Sequence, residues 1–472
     1  MRLVAWLDSK CLVFVLLALL AIVCVAIVHG NAGIVVLFGV LSIPMLVAFA
    51  RGGGVARDSV WVVHTAVFSI VSLLACVFLV YYEATNGTPY PHGPSDDDYA
   101  YDSRALDLYN GNLLDIPALQ DDIAWMGTGT WNPAFNYSIM LAFVYRGMHV
   151  LGFDPHPLYP RLLNAFALAI IASLTFTIAR RCSLLPWQSR FAAYLCGLSP
   201  TMVFMAAHTY RDVLVALGIL FVISALLSLL VKPALRFERR RLVYSVVLFA
   251  SGLLLAGSLR EINLYVLCAM SIGCLVFVRT SQGLRLPMLG ILVVAGISVL
   301  AFVDMNVLVS QENLDAQDFY HTRHAGTEGN ITGAVFRLPF VVSLPARFIL
   351  RNVSPLPLPQ EIATETFWRL GTVLWFFGLP FLYRSVREVF RTRDWPGKNA
   401  LAIVVFGFLV YYLLNIATTL QDRHVVNYIP AASVAAMCGL AMNPRRIQGT
   451  LIVMGVIAGL ILLAVLVIRQ LL

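Results

Sequence analysis

The chain has 472 residues, 60% of them hydrophobic and only 12% charged, with a mean hydropathy of +0.82 and a formal net charge of +8. That composition excludes an ordinary soluble domain. Apolar runs of roughly 17 to 23 residues recur along the whole length, each long enough to cross a hydrocarbon core of ~30 Å. The sequence therefore predicts an all-α polytopic membrane protein. The positive charge does not point to nucleic acid, because its distribution along the chain has another cause.

In chain order, Met1 to Lys10 followed by Cys11 to Val28 has the layout of an uncleaved signal anchor. Predicted spans are 11–29, 33–50, 60–82, 162–179, 191–207, 212–231, 242–258, 263–278, 286–303, 366–384, 399–418, 427–442 and 448–468, about thirteen transmembrane helices. Two long loops, about 83–134 and 304–365, interrupt them. Each ends in a semi-apolar piece (135–151 and about 335–350) read as a juxtamembrane helix. The chain thus divides into a three-span segment 1–82, a first loop region 83–161, a central bundle 162–303, a second loop 304–365 and a C-terminal bundle 366–472. The eight cysteines lie in or near spans and form no CxxC, so neither disulfides nor a cysteine metal site is expected.

Charge assigns the two sides. If 135–151 does not cross, one face of the membrane collects 21 Lys/Arg against 5 Asp/Glu, including Arg180, Arg181, Arg239, Arg240, Arg241 and the cluster Arg384 to Lys398. Basic loops stay cytoplasmic, so this predicts a cytoplasmic N-terminus and an extracytoplasmic C-terminus in a plasma membrane of bacterial inner-membrane type. Every unusual polar cluster then falls outside: Asp96-Asp97-Asp98, Arg211-Asp212, Arg260-Glu261, the second long loop with Arg323, and Arg423-His424.

Adjacent carboxylates repel, and a chain keeps them for cation binding, proton handling or contact with bulk water. Asp97 and Asp98 begin a helical pattern through Tyr101 and Ala105, where Asp also suits a helix N-terminus. Asp212 could cap its helix or serve a site. Arg260, Arg323 and Arg423 are candidates for phosphate oxygens, which guanidinium binds bidentately, or for interfacial anchors. Asp97, Asp98 and Asp212 could gather a divalent ion such as Mg or Mn, which prefers oxygen ligands. No Walker, GxSxG, HExxH or GxGxxG motif stands in a fitting context.

Several of these features together resemble the GT-C superfamily of membrane glycosyltransferases, which includes protein mannosyltransferases and the lipid A aminoarabinose transferase. They are the acidic outer loop with Tyr101 and Ala105, Trp131-Asn132-Pro133, Tyr159-Pro160-Arg161-Leu162-Leu163-Asn164, Leu198-Ser199-Pro200, Arg211-Asp212, and Arg423-His424 before Pro430. The resemblance spans roughly residues 83–442. It implies transfer of a sugar from a polyprenyl-phosphate donor to a lipid, glycan or protein acceptor at the outer leaflet. It also implies an essential first-loop Asp, by position Asp97 with Asp98 beside it, and a second acidic position at Asp212. Tyr101, Arg211, Arg260, Glu261, Arg323, Arg423 and His424 are the expected substrate contacts. A glycan polymerase or ligase using diphosphate-linked oligosaccharides is a second expectation. A flippase or transporter is a third, disfavoured because charges are nearly absent from span centres.

Overall fold

The computed structural model describes residues 2–51, 60–92, 97–111, 134–231, 239–277, 335, 338–353, 363–391, 397–418, 422–443 and 447–471. Among them the regular structure is entirely helical. The helices are α1 (Arg2–Ser9), α2 (Cys11–Val28), α3 (Gly33–Arg51), α4 (Val60–Asn86), α5 (Asp97–Asn110), α6 (Ala134–Val150), α7 (Leu158–Arg181), α8 (Pro186–Gly197) and α9 (Pro200–Ala206). They continue as α10 (Asp212–Leu230), α11 (Arg239–Leu259), α12 (Glu261–Phe277), α13 (Phe340–Val353), α14 (Ala363–Arg391) and α15 (Lys398–Thr418). A 3-10 turn (Asp422–Asn427), α16 (Ile429–Ala441) and α17 (Ile447–Leu471) complete the order.

Six described segments are long and apolar enough to cross a membrane: Cys11–Val28, Val60–Asn86, Leu158–Arg181, Asp212–Leu230, Leu242–Leu259 and Lys398–Ile416. Shorter apolar helices occupy Gly33–Val47, Ile262–Leu275, Ile429–Ala441 and Ile447–Ile461. The expected span 286–303 lies outside the described residues, as does most of the second long loop. The expected span 191–207 is not one helix. Pro200 has no N–H to continue a helix begun at Pro186, so the chain breaks at Leu198-Ser199 and restarts with proline in the first turn of α9.

α10 is the hub. It is apolar all round and buried along nearly its whole length, which suits a helix surrounded by others. Its neighbour α11 approaches closely at Gly218 and Gly252, where a Cβ on Gly252 would stand 2.6 Å from the Gly218 carbonyl oxygen. Small residues there let the two backbones pack without an intervening side-chain layer. Large apolar side chains on α2, α3, α11 and α17 point outward instead, among them Leu12, Leu20, Leu46, Leu254, Ile452 and Val456.

Contacts between helix termini sort the bundle into two ends. At one, the end of α4 meets the start of α14, where the Tyr82 hydroxyl bridges His208 Nε2 (2.8 Å) and Thr364 Oγ1 (2.6 Å). The starts of α5, α7, α10, α12 and α16 gather there too. At the other, Arg190 Nη1 reaches Asp8 Oδ2 (2.5 Å), Arg181 Nη1 donates to Ser228 Oγ (2.7 Å), and Arg384 Nη1 lies 3.3 Å from the Gly439 carbonyl oxygen.

α6 is not among the long apolar segments. It lays Tyr137, Leu141, Tyr145 and Met148 against α5, one face of a 3.6-residue period. α13 starts a few residues later than the expected 335–350 piece, and its burial inverts the soluble pattern. Ser343, Arg347 and Arg351 face inward while Val342, Phe348 and Ile349 are exposed.

A candidate anion site at one end of the bundle

The site is built on a buried frame. α5 turns Asp98, Tyr101, Asp102 and Ala105 to the same side, and all four are buried. Asp98 is fully enclosed. Its Oδ1 accepts a hydrogen bond from the Thr209 backbone N–H (2.5 Å), and its Oδ2 lies 3.5 Å from Nη2 of Arg161, itself 0% exposed. That nitrogen also donates to the Pro89 carbonyl. Burial pushes the Asp98 carboxyl up from its ordinary pKa, while Arg161 and the Thr209 bonds pull it back. Four residues on, Asp102 accepts hydrogen bonds from the hydroxyls of Tyr90 and Tyr145, and burial raises its pKa too.

The turn between α9 and α10 is pinned from three sides. Asn164, one helical turn beyond Arg161 on α7, places Nδ2 2.8 Å from the His208 carbonyl and 2.9 Å from that of Tyr210. His208 hands its Nδ1–H to the Phe204 carbonyl (2.5 Å), which leaves Nε2 for Tyr82. Burial, aided by Arg161, brings the His208 imidazole down to about 3, so it stays neutral. Asp98 holds Thr209. Together these contacts fix where Arg211 and Asp212 emerge.

On this frame the functional candidates converge. Asp97, 46% exposed at its side chain, ion-pairs through Oδ2 with Arg423 Nη1. Asp212 Oδ1 accepts from Arg260 Nη2 at 2.7 Å. Arg211 donates Nη1 to the Leu259 carbonyl (2.7 Å) and sets its guanidinium over the Tyr101 ring, 5.7 Å from the centroid. Asp212 and Asp97 both act on Arg423, holding its pKa above the ordinary value although burial works the other way. His424 is driven well below its ordinary pKa, first by burial and then by Arg260, Arg423, Arg211 and Arg351. Four guanidinium groups thus lie within electrostatic reach of one neutral imidazole. Nε of Arg211 and Nε of Arg260 are buried with no hydrogen-bond partner among the described residues.

Of the residues expected from sequence, Asp97, Asp212, Tyr101, Arg211, Arg260, Arg423 and His424 come together here. Asp98 is adjacent but locked into the frame. Arg323 lies outside the described residues, as does the side chain of Glu261. Each site carboxylate faces an arginine, and among the described residues no group of three His, Cys, Asp or Glu side chains is placed to hold a metal ion. The divalent-ion expectation for Asp97 and Asp212 therefore finds no donor set among these residues.

Sequence reasoning quoted Arg161 and Asn164 within the Tyr159–Asn164 motif but gave them no role, and it gave none to Thr209, Asp102 or Arg351. A role for Arg161 and Asn164 was within reach, since polar groups at the mouth of an apolar span are costly unless they have partners. Arg351 on α13 lines an open, mainly apolar cleft beside the cluster, together with Trp368, Trp375, Val425, Ile429 and Ser433.

No protein-family profile, curated protein or solved structure matches this chain. The functional reading rests on the site itself. Among the described residues, four guanidinium groups against two carboxylates leave an excess of positive charge, which suits a phosphate-bearing ligand. The apolar cleft beside Arg351 suits a hydrocarbon attached to it.

Proposed function

We propose that the chain is an integral membrane glycosyltransferase, which moves a sugar from a polyprenyl-phosphate donor to a lipid, glycan or protein acceptor on the extracytoplasmic side. The observation that carries this reading is the junction of two unlike surfaces. Arg211, Arg260, Arg423 and Arg351 supply guanidinium groups for phosphate oxygens, and the Trp368/Trp375 cleft beside them supplies apolar walls for an isoprenoid chain. The resemblance of the acidic loop, Arg211-Asp212 and Arg423-His424 to membrane glycosyltransferases points the same way.

In this reading Asp97 is the base. It is the accessible carboxylate of the pair, whereas Asp98 is sealed from any substrate. Inverting transfer needs one carboxylate to take the acceptor proton, worth roughly 10²–10⁴-fold. It also needs cations on the departing phosphate, an effect of comparable or larger size. Arg423 and Arg260 take that part, while Asp212 orients Arg260. Neutral His424 offers a hydrogen bond without adding to the cationic crowding. Extracted polyprenyl-phosphate sugars supplied as donors to the purified protein test the reading. Transfer should occur and should fall at least 100-fold in Asp97→Asn; a folded Asp97→Asn protein with full transfer activity sinks it.

The second reading, a polymerase or ligase using diphosphate-linked oligosaccharides, draws on the same excess of guanidinium groups. Substituting a diphosphate-linked donor in the same assay separates the two.

A further inference from the structure

Among the described residues the cluster pairs four arginines (Arg211, Arg260, Arg423 and Arg351) with two carboxylates, Asp97 and Asp212, and His424 is neutral among them. Asp97 and Arg423 are already ion-paired, so a phosphate reaching Arg423 competes with Asp97 for it. The donor's phosphate is a diester with a single charge. Once the sugar has left, the same phosphate is a monoester carrying close to two charges at neutral pH.

We infer that the Asp97–Arg423 pair is a charge switch: neutralising Asp97 releases Arg423 and strengthens the site's preference for the polyprenyl phosphate monoester over the sugar-bearing diester. The inference rests on the proposed transfer reaction and concerns the same site. In the transfer, the acceptor hydroxyl gives its proton to Asp97 Oδ2 while its oxygen forms a bond to the anomeric carbon. The bond from that carbon to the phosphate oxygen breaks, and its electron pair stays on the phosphate. Asp97 becomes neutral in the same step, so its hold on Arg423 weakens as the phosphate gains its second charge. Arg423 then passes from carboxylate to phosphate without changing its own charge. The arrangement favours the transition state over the ground state, because the strongest charge pairing exists only once the bond is breaking. The monoester is held tightly only while Asp97 keeps the proton; its loss returns Arg423 to Asp97 and loosens the product.

The consequence is unusual for a catalytic carboxylate: removing its charge should improve binding. Asp97→Asn stands for the protonated state, and Asn cannot offer Arg423 a full negative charge. The experiment measures equilibrium binding to the full-length protein in lipid nanodiscs, by native mass spectrometry or by fluorescence of the cleft tryptophans. The probes are polyprenyl monophosphate, its methyl diester and the uncharged polyprenol. The wild-type protein should bind the monophosphate more tightly than the diester. Asp97→Asn should tighten the monophosphate by about tenfold or more, since a charge-assisted competitor has been removed. The diester should change by no more than about threefold, scaling with its smaller charge. The double variant Asp97→Asn/Arg423→Gln should lose the gain, whereas Asp107→Asn, an exposed carboxylate on the same helix, should change nothing.

Equal or weaker monophosphate binding by Asp97→Asn overturns the switch while leaving phosphate recognition intact. If neither protein prefers the monophosphate to polyprenol, the phosphate-donor reading falls as well, and the two failures are told apart by that comparison.

Discussion

The buried pair of Asp98 and Arg161 permits a sharp test of how the acidic loop is held. Both side chains are 0% exposed and 3.5 Å apart, and the Thr209 backbone N–H donates to the same carboxylate. Removing one partner of such a pair strands a buried charge, at a cost of about 3–5 kcal/mol. The two single variants should nevertheless behave differently with pH. Asp98→Asn leaves the guanidinium of Arg161, which cannot shed its proton in any accessible range, so this site adds no pH dependence to that variant's stability. Arg161→Gln leaves a carboxyl whose pKa burial already raises, now without the arginine that pulled it down. In the folded state that carboxyl takes up a proton more readily than in the unfolded chain. Folded molecules then bind more protons than unfolded ones, so the stability of Arg161→Gln should fall as pH rises and recover toward mild acid. In the double variant no charge is stranded, and its cost should undercut the sum of the singles by about 2 kcal/mol or more, the range of coupling seen for directly contacting groups. Thermal unfolding in detergent across pH 5 to 8 measures all four proteins, with single-variant shifts on the order of 10 °C. Additive costs, or an Arg161→Gln penalty independent of pH, refute the account.

Asp102→Asn should destabilise by about 1–3 kcal/mol, since an amide oxygen replaces a carboxylate that accepts from both Tyr90 and Tyr145. Because burial raises the folded pKa of Asp102 above that of the unfolded chain, its contribution declines as pH rises through that window. The variant's thermal midpoint should therefore depend less on pH than the wild type's. Gly439→Ala should cost about 1–3 kcal/mol, because its Cβ would meet the Phe381 carbonyl oxygen at 2.0 Å and force α14 and α16 apart; an unchanged thermal midpoint would contradict the packing. Sidedness can be read with a membrane-impermeant thiol reagent on intact cells. A cysteine at Asp107 should react from outside and one at Ser183 only after permeabilisation; the reverse result would invert the proposed orientation.

Much of this architecture was legible because lipid imposes a simple code. Apolar length marks a helix. The helix at Cys11–Val28 matches its predicted span to within a residue, as does that at Asp212–Leu230. The code is silent where chemistry replaces hydropathy. α4 runs on to Asn86 past the expected 82, and α14 runs from Ala363 to Arg391 around an expected 366–384, because helical hydrogen bonding does not stop where apolar residues do. The frame residues escaped for another reason. Asp98 meets Thr209 across 111 positions of sequence, and Asn164 meets the His208 carbonyl across 44. A single sequence carries no signal of such pairings, since each residue is an ordinary helix or turn constituent on its own.

The choice between Asp97 and Asp98 shows how far helical geometry alone could have gone. Reading Asp97, Tyr101 and Ala105 as a stripe uses steps of four, and each step overshoots a full turn by about 40°. Asp97 therefore lies about 80° around the helix from Ala105, whereas Asp98 lies only about 20° from it. Ala105 is fully buried, so the residue nearest its line must be buried as well, and Asp98 is. Asp97 falls at the edge of the buried face, where it can reach Arg423 and remain half open to solvent. The same angles put Asp102 inside the face, where its two tyrosine partners meet it. Two adjacent carboxylates so acquire opposite roles from a single 100° rotation. One holds the frame; the other is left accessible to act.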